Sequence, residues 1–205
     1  MDMRIATLMA ATMVVAGCAT QGGTVEAYGA RTARHYTQAD LDYGRQLKAK
    51  LDATRAAGPT DLKAAIDPFR IAGDTYYAGT LGHSVYAIKT SQGVILIDNG
   101  WGDTTAKVEA SLKTLGINLA DIKILLMTEG HGDHAGGTAH FKEKSGAKLY
   151  VMEGDVDIFE KRAASPIKVD RVLHDRETVT LGDKTLTAYH IPGHSAGSTT
   201  WYWQE

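Results

Sequence analysis

The sequence predicts a mixed α/β fold built around one core. Short β-rich runs occupy the stretch before residue 100, and alternating strand and helix patterns follow it to about residue 161. This βαβα alternation is typical of helices that pack outside a sheet. The chain has 205 residues and is 43% hydrophobic, which suits one domain with a single core.

Three β-rich runs open the predicted domain. They cover Ile71–Ala78, Ser84–Thr90 and Val94–Asp98, and glycine-containing turns separate them. The run Val94-Ile95-Leu96-Ile97 is apolar at every position, which predicts a strand that is covered on both faces. It leads into Asp98-Asn99-Gly100-Trp101, a loop that can present polar groups at the end of the sheet.

The remaining elements follow from apolar periodicity and from the positions of glycines. The predicted elements are, in order, a helix at Thr104–Leu115, a buried strand at Ile122–Met127, a helix at Thr138–Lys144, a strand at Ala147–Val151, a helix at Gly154–Lys161, a hairpin of Thr178–Leu181 with Lys184–Ile191, and a strand at Ser198–Trp203. The hairpin turn is predicted at Gly182-Asp183, because this pair favours tight turns.

The turn after the predicted strand Ile122–Met127 carries a high density of metal-binding side chains. Glu129, His131, Asp133 and His134 fall within six residues, among glycines at positions 130, 132, 136 and 137. The glycines leave the backbone free to direct these side chains toward a common centre. A solvated polar loop has no need for four such ligands, so the sequence predicts metal-ion chemistry here.

Charge and cysteine content exclude several classes of protein. The formal net charge is −2, which gives no electrostatic reason to expect nucleic acid as a partner. Cys18 is the single cysteine, so the chain has neither an intrachain disulfide framework nor a four-cysteine zinc site. The sequence leaves the oligomeric state open.

The N-terminus resembles an export signal. Arg4 supplies a positive charge, and the apolar or small residues of Ile5–Val15 form a stretch too short to span a bilayer as a mature helix. Val15-Ala16-Gly17-Cys18 resembles the lipobox of bacterial lipoproteins, in which the cysteine is lipidated after cleavage. The alternative is ordinary signal cleavage near Ala19. We predict a signal peptide in residues 1–19, and a periplasmic protein with or without a lipid anchor.

The signal is followed by a predicted tether and helix in residues 20–60, and then by the domain itself in residues 61–205. The helix is predicted at Ala39–Ala57 and ends at Gly58-Pro59. At the other end, Trp201-Tyr202-Trp203 lies in a predicted core strand close to Glu205. Because domains normally finish with polar, removable residues, we expect the domain to be incomplete at its C-terminus.

Several motifs together resemble the metallo-beta-lactamase superfamily. They are the Val94–Asp98 strand with its Ile-Asp-Asn-Gly turn, the Gly130–Gly137 stretch with sequence GHGDHAGG, and Pro192–Gly197 with sequence PGHSAG. Together with Tyr76–Thr80 and Ser198–Trp201 they look most like class B, third-subclass beta-lactamases. The resemblance runs from about residue 69 onward and implies an αββα sandwich, with the ligand loops at one edge of two packed sheets.

The resemblance also implies two zinc ions. The positions that match the first zinc site are Glu129, His131 and His194, and Asp133 and His134 match the second, together with a downstream histidine that the chain does not reach. Glu129 departs from the family, which usually has histidine at this position. Zinc accepts carboxylate oxygen, so we interpret Glu129 as a variant ligand. The alternative is that Glu129 does not ligate and the first site binds zinc weakly.

The resemblance implies that the partner is a small-molecule substrate, a beta-lactam, whose amide is hydrolysed by a metal-bound hydroxide. Asp133 is expected to orient that hydroxide. The reaction would confer resistance to beta-lactam antibiotics. Asp98 is expected to support the ligand turn by hydrogen bonding, while His83 and Trp101 are candidates for the wall of the substrate cleft. The alternatives are another hydrolase of the superfamily, such as a glyoxalase II-like thioesterase or a lactonase, and a non-catalytic metal-binding lipoprotein.

Overall fold

The computed structural model of the protein describes residues 61–162 and 166–205, together with scattered helical positions between 38 and 53. The chain divides into two compact units, Met1–Gly58 and Pro59–Glu205. The predicted signal peptide and tether lie outside the described residues, as do parts of the predicted helix Ala39–Ala57. Within the described part of the chain, no helix combines the length and apolar character needed to cross a membrane.

The unit Pro59–Glu205 is built from strands and short helices. The strands are β1 (Phe69–Ala72), β2 (Thr75–Tyr77), β3 (Tyr86–Thr90), β4 (Gly93–Ile97), β5 (Ile122–Leu126), β6 (Lys148–Met152), β7 (Arg171–Leu173), β8 (Thr178–Leu181), β9 (Lys184–His190) and β10 (Thr199–Tyr202). The α-helices are α1 (Thr105–Thr114), α2 (Gly132–Ala135) and α3 (Thr138–Ser145). Short 3₁₀ turns cover Gly102–Thr104, Leu119–Asp121 and Glu153–Asp155, and a π-turn covers Ile158–Arg162.

These strands form two sheets. One sheet has seven strands in the order β1 to β7, and the other has three in the order β10-β9-β8. Strands β1 to β4 pair antiparallel, whereas β4 to β7 pair parallel. The parallel half brings the carboxyl ends of β4, β5 and β6 to one edge, which is where α/β sheets commonly bind ligands.

Alternating side chains of β4 enter two hydrophobic cores, one on each face of the seven-stranded sheet. Leu96 packs with Leu112 of α1 and Phe141 of α3. Ile95 packs on the opposite face with Leu186 of β9, and all five side chains are fully buried. The prediction that this strand is covered on both faces is confirmed. The helix layer and the two sheets match the predicted αββα fold.

The structure corrects two predicted elements and adds a strand. The run Ile71–Ala78 is two strands, because Gly73 adopts a left-handed φ of +46° that ends β1 and turns the chain into β2. The predicted helix Gly154–Lys161 is replaced by the 3₁₀ turn and the π-turn, since this segment packs against the loop after β9. Strand β7 escaped prediction because it has only three residues, among them the exposed Val172.

Two hydrogen bonds connect the second sheet to the end of β5. The Trp201 indole N–H donates to the Met127 carbonyl at 3.1 Å, and the Thr199 N–H donates to the Thr128 carbonyl at 2.7 Å. Trp201 itself is buried in the core between the sheets. These bonds fix β10 against the residues that lead into the predicted ligand turn.

Glu205 connects the two sheets at another point. Its carboxylate accepts hydrogen bonds from the Asp74 backbone N–H, the Thr75 hydroxyl, the Trp203 indole N–H and the Lys184 ammonium, which lies at 2.8 Å. Asp74 precedes β2, Thr75 begins it, and Lys184 begins β9. Burial would raise the pKa of Glu205, but these donors outweigh it and lower the pKa from 4.5 to about 2.

This contact predicts an acid-dependent loss of stability. Because the pKa of Glu205 is lower in the folded than in the unfolded chain, its contribution is present above pH 4.5 and is lost as the pH falls toward 2. Glu205→Gln should therefore flatten the decline of unfolding free energy over this range, as measured by urea unfolding at several pH values. Glu143→Gln, at an exposed position on α3, is the matched control. Parallel pH curves for wild type and Glu205→Gln would contradict the prediction.

Candidate metal centre

Two overlapping groups of ligating side chains lie at the carboxyl end of β5. Glu129, His131 and His194 form the first group, and Glu129, Asp133 and His134 form the second. Within each group the ligand atoms lie within 4.8 Å of one another. Imidazole nitrogen and carboxylate oxygen are ligands that zinc accepts. The donor set therefore fits the zinc chemistry that the sequence predicts.

Glu129 offers one carboxylate oxygen to each group. Its Oε2 lies 2.6 Å from His131 Nδ1 and 3.4 Å from His194 Nε2. Its Oε1 lies 3.0 Å from His134 Nε2. The family resemblance predicts Glu129 in the first group alone, whereas in the structure it belongs to both, because the two oxygens of its carboxylate face different partners.

The candidate ligands differ in exposure. The Glu129 side chain is 9% exposed, whereas the His194 side chain is 75% exposed. The His131 and His194 rings lie edge to face, with centroids 4.8 Å apart. Asp133 is partly exposed, and its Oδ2 lies 3.6 Å from His134 Nε2. A substrate can thus approach from the side of His194 and Asp133, while Glu129 closes the inner side.

Asp98 contacts the ligand turn, as the predicted supporting role requires. Its Oδ1 accepts the Thr128 backbone N–H at 2.7 Å, and its Oδ2 accepts the Thr128 hydroxyl at 2.6 Å. Asp98 Oδ2 also lies 2.9 Å from His134 Nδ1. This contact directs His134 Nε2 toward Glu129 and Asp133. A carboxylate that holds the far nitrogen of a histidine is a common support for a metal ligand.

The contact between Asp98 and His134 affects the pKa of both residues. Burial raises the pKa of Asp98, against hydrogen bonds from His134 and Thr128 that lower it. The hydrogen bond to Asp98 is the main cause that raises the pKa of His134, and the charges of Glu129 and Asp133 add to it. A metal ion at His134 must compete with the proton that this environment favours, so metal affinity should fall as the pH falls.

Backbone contacts between the β4 loop and α2 hold the ligand turn in place. The Asn99 and Gly100 backbone N–H groups both donate to the His134 carbonyl, at 2.8 and 3.1 Å. A side chain at Gly136 would place its Cβ 2.3 Å from the Gly132 carbonyl oxygen and 2.6 Å from the Gly102 nitrogen. Glycine is needed at position 136 because the two loops approach so closely, rather than for flexibility.

The candidate cleft residues His83 and Trp101 contact each other. The Trp101 indole N–H donates to His83 Nε2 at 2.9 Å, and the Trp101 ring lies beside Gly132, whose added Cβ would meet it at 3.4 Å. His83 Nδ1 is buried without a hydrogen-bond partner among the described residues. Trp101 therefore borders the ligand turn directly, and His83 reaches it through Trp101. Their role in substrate binding stays a prediction.

Asp155 is a buried residue of the site that sequence reasoning missed. Its carboxylate accepts hydrogen bonds from the Gly130 N–H, the Ser195 hydroxyl and the Gly197 N–H. The sequence predicts a helix at this position and no functional role for Asp155. One feature of the sequence could have pointed to Asp155: it lies just after β6, beside β5 in the parallel half of the sheet. The carboxyl ends of parallel strands share one edge.

Comparison with known proteins identifies the class to which this fold and site belong. Residues 78–205 match the family model of the metallo-beta-lactamase superfamily. This match covers more than half of the chain, and the chain belongs to the metallo-beta-lactamase superfamily.

Solved structures and a curated relative add detail. BJP-1, a subclass B3 metallo-beta-lactamase of Bradyrhizobium japonicum, is 41% identical with a TM-score of 0.68, over 70% of this chain and 59% of that one. The metallo-beta-lactamase GOB-18 from Elizabethkingia meningoseptica is 38% identical with a TM-score of 0.68, over 71% and 58%. A hydroxyacylglutathione hydrolase of Anaeromyxobacter dehalogenans is 35% identical over 80 residues, which are 39% of this chain and 28% of that protein. The chain spans about half the length, or less, of the curated relatives that it matches.

The shared position of Glu129 generates a prediction about metal stoichiometry. Glu129→Ala should lower the zinc bound per chain and weaken both groups, because each loses an oxygen ligand. Glu129→His should keep or strengthen zinc binding by His131 and His194, because a neutral nitrogen replaces the oxygen there. Zinc per chain after dialysis, and competition with a chromophoric chelator, measure both effects. Glu143→Ala serves as the control at an exposed position. Weaker zinc binding by the His131–His194 group in Glu129→His than in wild type would show that this group requires the carboxylate.

Proposed function

We propose that this protein hydrolyses the amide bond of beta-lactams with two zinc ions, and so confers resistance to beta-lactam antibiotics. The observation that carries the proposal is the pair of overlapping ligand groups around Glu129, at the edge shared by the two sheets. Similarity to BJP-1 and GOB-18, at 41% and 38% identity, supports a beta-lactam as the substrate.

Each group would hold one zinc ion, the first with His131 and His194 and the second with Asp133 and His134, and Glu129 is available to both. When bound, zinc supplies a Lewis acid for the substrate carbonyl and lowers the pKa of water. The partly exposed carboxylate of Asp133 accepts a hydrogen bond from the attacking water and orients it. His194, on the open side, borders the approaching substrate.

A second function is favoured by a different observation. The hydroxyacylglutathione hydrolase match, at 35% identity over 80 residues, supports a thioesterase that uses the same ligand groups. Thioester and lactam hydrolysis need the same two things, a polarised carbonyl and an activated water. The structure-level similarity covers 70% or more of this chain with BJP-1 and GOB-18, so we favour the lactamase. A lactonase, or a metal-binding protein without activity, would be the remaining outcomes of the test.

One assay on the full chain separates these functions. Zinc per chain is measured first, followed by hydrolysis of a chromogenic cephalosporin, a glutathione thioester and a lactone. Two zinc ions with cephalosporin turnover are expected, and turnover of the thioester alone would refute the lactamase. Asp133→Asn should lower kcat/KM about 100-fold, the lower end of what a positioned proton acceptor contributes. Asp157→Asn is the matched control, because Asp157 is an exposed partner of Lys161.

We further propose that the protein is exported to the periplasm and anchored there through a lipid on Cys18. This proposal rests on the sequence of residues 1–19 alone. Cys18→Ala should move the protein from the membrane fraction to the soluble periplasm and abolish its labelling by a radioactive fatty acid. Labelled wild type in the membrane fraction is expected. An unlabelled protein in the soluble periplasm would contradict the anchor, and retention in the cytoplasm would contradict export.

A further inference from the structure

Asp155 joins two segments that lie far apart in the sequence. Its Oδ2 accepts the Gly130 backbone N–H at 2.9 Å and the Ser195 hydroxyl at 2.7 Å. Its Oδ1 accepts the Gly197 backbone N–H at 2.8 Å. Gly130 lies between two candidate ligands, and Ser195 follows His194 directly. One buried carboxylate therefore holds both segments that carry the first ligand group.

The packing around Asp155 leaves no space between these segments. A Cβ at Gly197 would lie 2.6 Å from the Asp155 nitrogen and 2.7 Å from its Cβ and Cγ. A Cβ at Gly154 would lie 2.2 Å from the Ala196 carbonyl oxygen. The backbone of the 194–197 loop thus rests directly on the turn that contains Asp155.

The position of His194 depends on this support, because its own side chain is largely exposed. The ring is 75% exposed, and its distance to Glu129 Oε2 is 3.4 Å. On the N-terminal side, a Cβ at Gly193 would meet nothing within 4 Å, and the Gly193 N–H donates to the Ser195 carbonyl at 3.1 Å. On the other side, His190 contacts the Ala196 carbonyl at 2.8 Å, and Asp155 holds positions 195 and 197. The position of His194 is therefore set from its C-terminal flank.

We propose that Asp155 is a positioning residue that holds His194 against the Glu129–His131 pair, and so sets the affinity of this group for its metal ion. The inference rests on the proposed zinc site, but it concerns a residue outside both ligand groups. Asp155 acts through the backbone of two loops and through the Ser195 hydroxyl, without contact to the metal or to the substrate.

A carboxylate suits this position because all three of its neighbours are donors. An ionised carboxylate only accepts hydrogen bonds, and its two oxygens can satisfy three donors. In Asp155→Asn, the amide NH₂ must face either the Gly197 N–H or the pair of donors from Gly130 and Ser195. Donor then meets donor in a buried place, so one of the two loops must move away while the volume of the side chain is kept.

The test is metal binding by the full chain. Asp155→Asn should weaken binding of Co²⁺ and Zn²⁺ by the first group about 10- to 100-fold, the range seen when an outer support of a metal ligand is lost. The Co²⁺ absorption spectrum and chelator competition measure this. Ser195→Ala removes one of the three hydrogen bonds and should act in the same direction with a smaller change. If Asp155→Asn fails to fold, Ser195→Ala still tests the proposal.

Combination with His194→Ala separates positioning from a general loss of stability. If Asp155 acts through His194, Asp155→Asn should have no further effect on metal affinity in the His194→Ala background. Asp170→Asn is the matched control, because Asp170 accepts the Leu149 backbone N–H at 2.8 Å and pairs with Lys142. It should lower the melting temperature and leave metal affinity unchanged. An equal loss of affinity with and without His194, or wild-type affinity in folded Asp155→Asn, would overturn the proposal.

A measurement without metal distinguishes this inference from the proposed function. In the metal-free protein, Asp155→Asn should raise amide hydrogen exchange at Gly130 and Gly197 together, although they belong to separate loops. If wild type binds no metal, the proposed function fails, and a joint rise in exchange still supports the link through Asp155. Unchanged exchange at either glycine overturns the link itself.

Discussion

The structure of the metal centre depends on the burial of three carboxylates at one edge of the seven-stranded sheet. Asp98, Glu129 and Asp155 are all buried there. A buried carboxylate is unfavourable unless hydrogen bonds or a cation compensate its charge. Asp98 and Asp155 are compensated by protein donors, which include backbone N–H groups. Glu129 instead faces imidazoles, which can serve either as protonated donors or as fellow ligands of a cation.

The three carboxylates therefore have different structural roles. Asp98 ties the end of β4 to the ligand turn and orients His134, whereas Asp155 ties the end of β6 to two loops. Both stabilise the surroundings of Glu129 without entering either ligand group. The charge of Glu129 is thereby left available to a cation at the candidate site. A glutamate in place of a family histidine is compatible with this arrangement, because the neighbouring side chains already hold the turn in its folded shape.

Much of this could be predicted from the sequence, and the failures have physical reasons. The apolar run at 94–97 and the dense turn at 129–134 are local patterns, so they indicated the central strand and the place where candidate ligands cluster. Gly73 divided a predicted strand, because its left-handed φ cannot be seen in the composition. The role of Asp155 depends on hydrogen bonds to positions 130, 195 and 197, which no local pattern encodes. That Glu129 belongs to both ligand groups could not be predicted either, because it depends on where its two carboxylate oxygens lie.

The hydrogen bond from Trp201 to the Met127 carbonyl joins residues 74 positions apart in the chain. Bringing such distant residues together costs loop-closure entropy, which the contact and the packing around it must offset. His194 reaches Glu129 only when β10 and its preceding loop have docked on β5. Assembly of the first candidate ligand group therefore depends on closure of the two sheets, because His194 is the member of that group that lies outside the 129–134 turn.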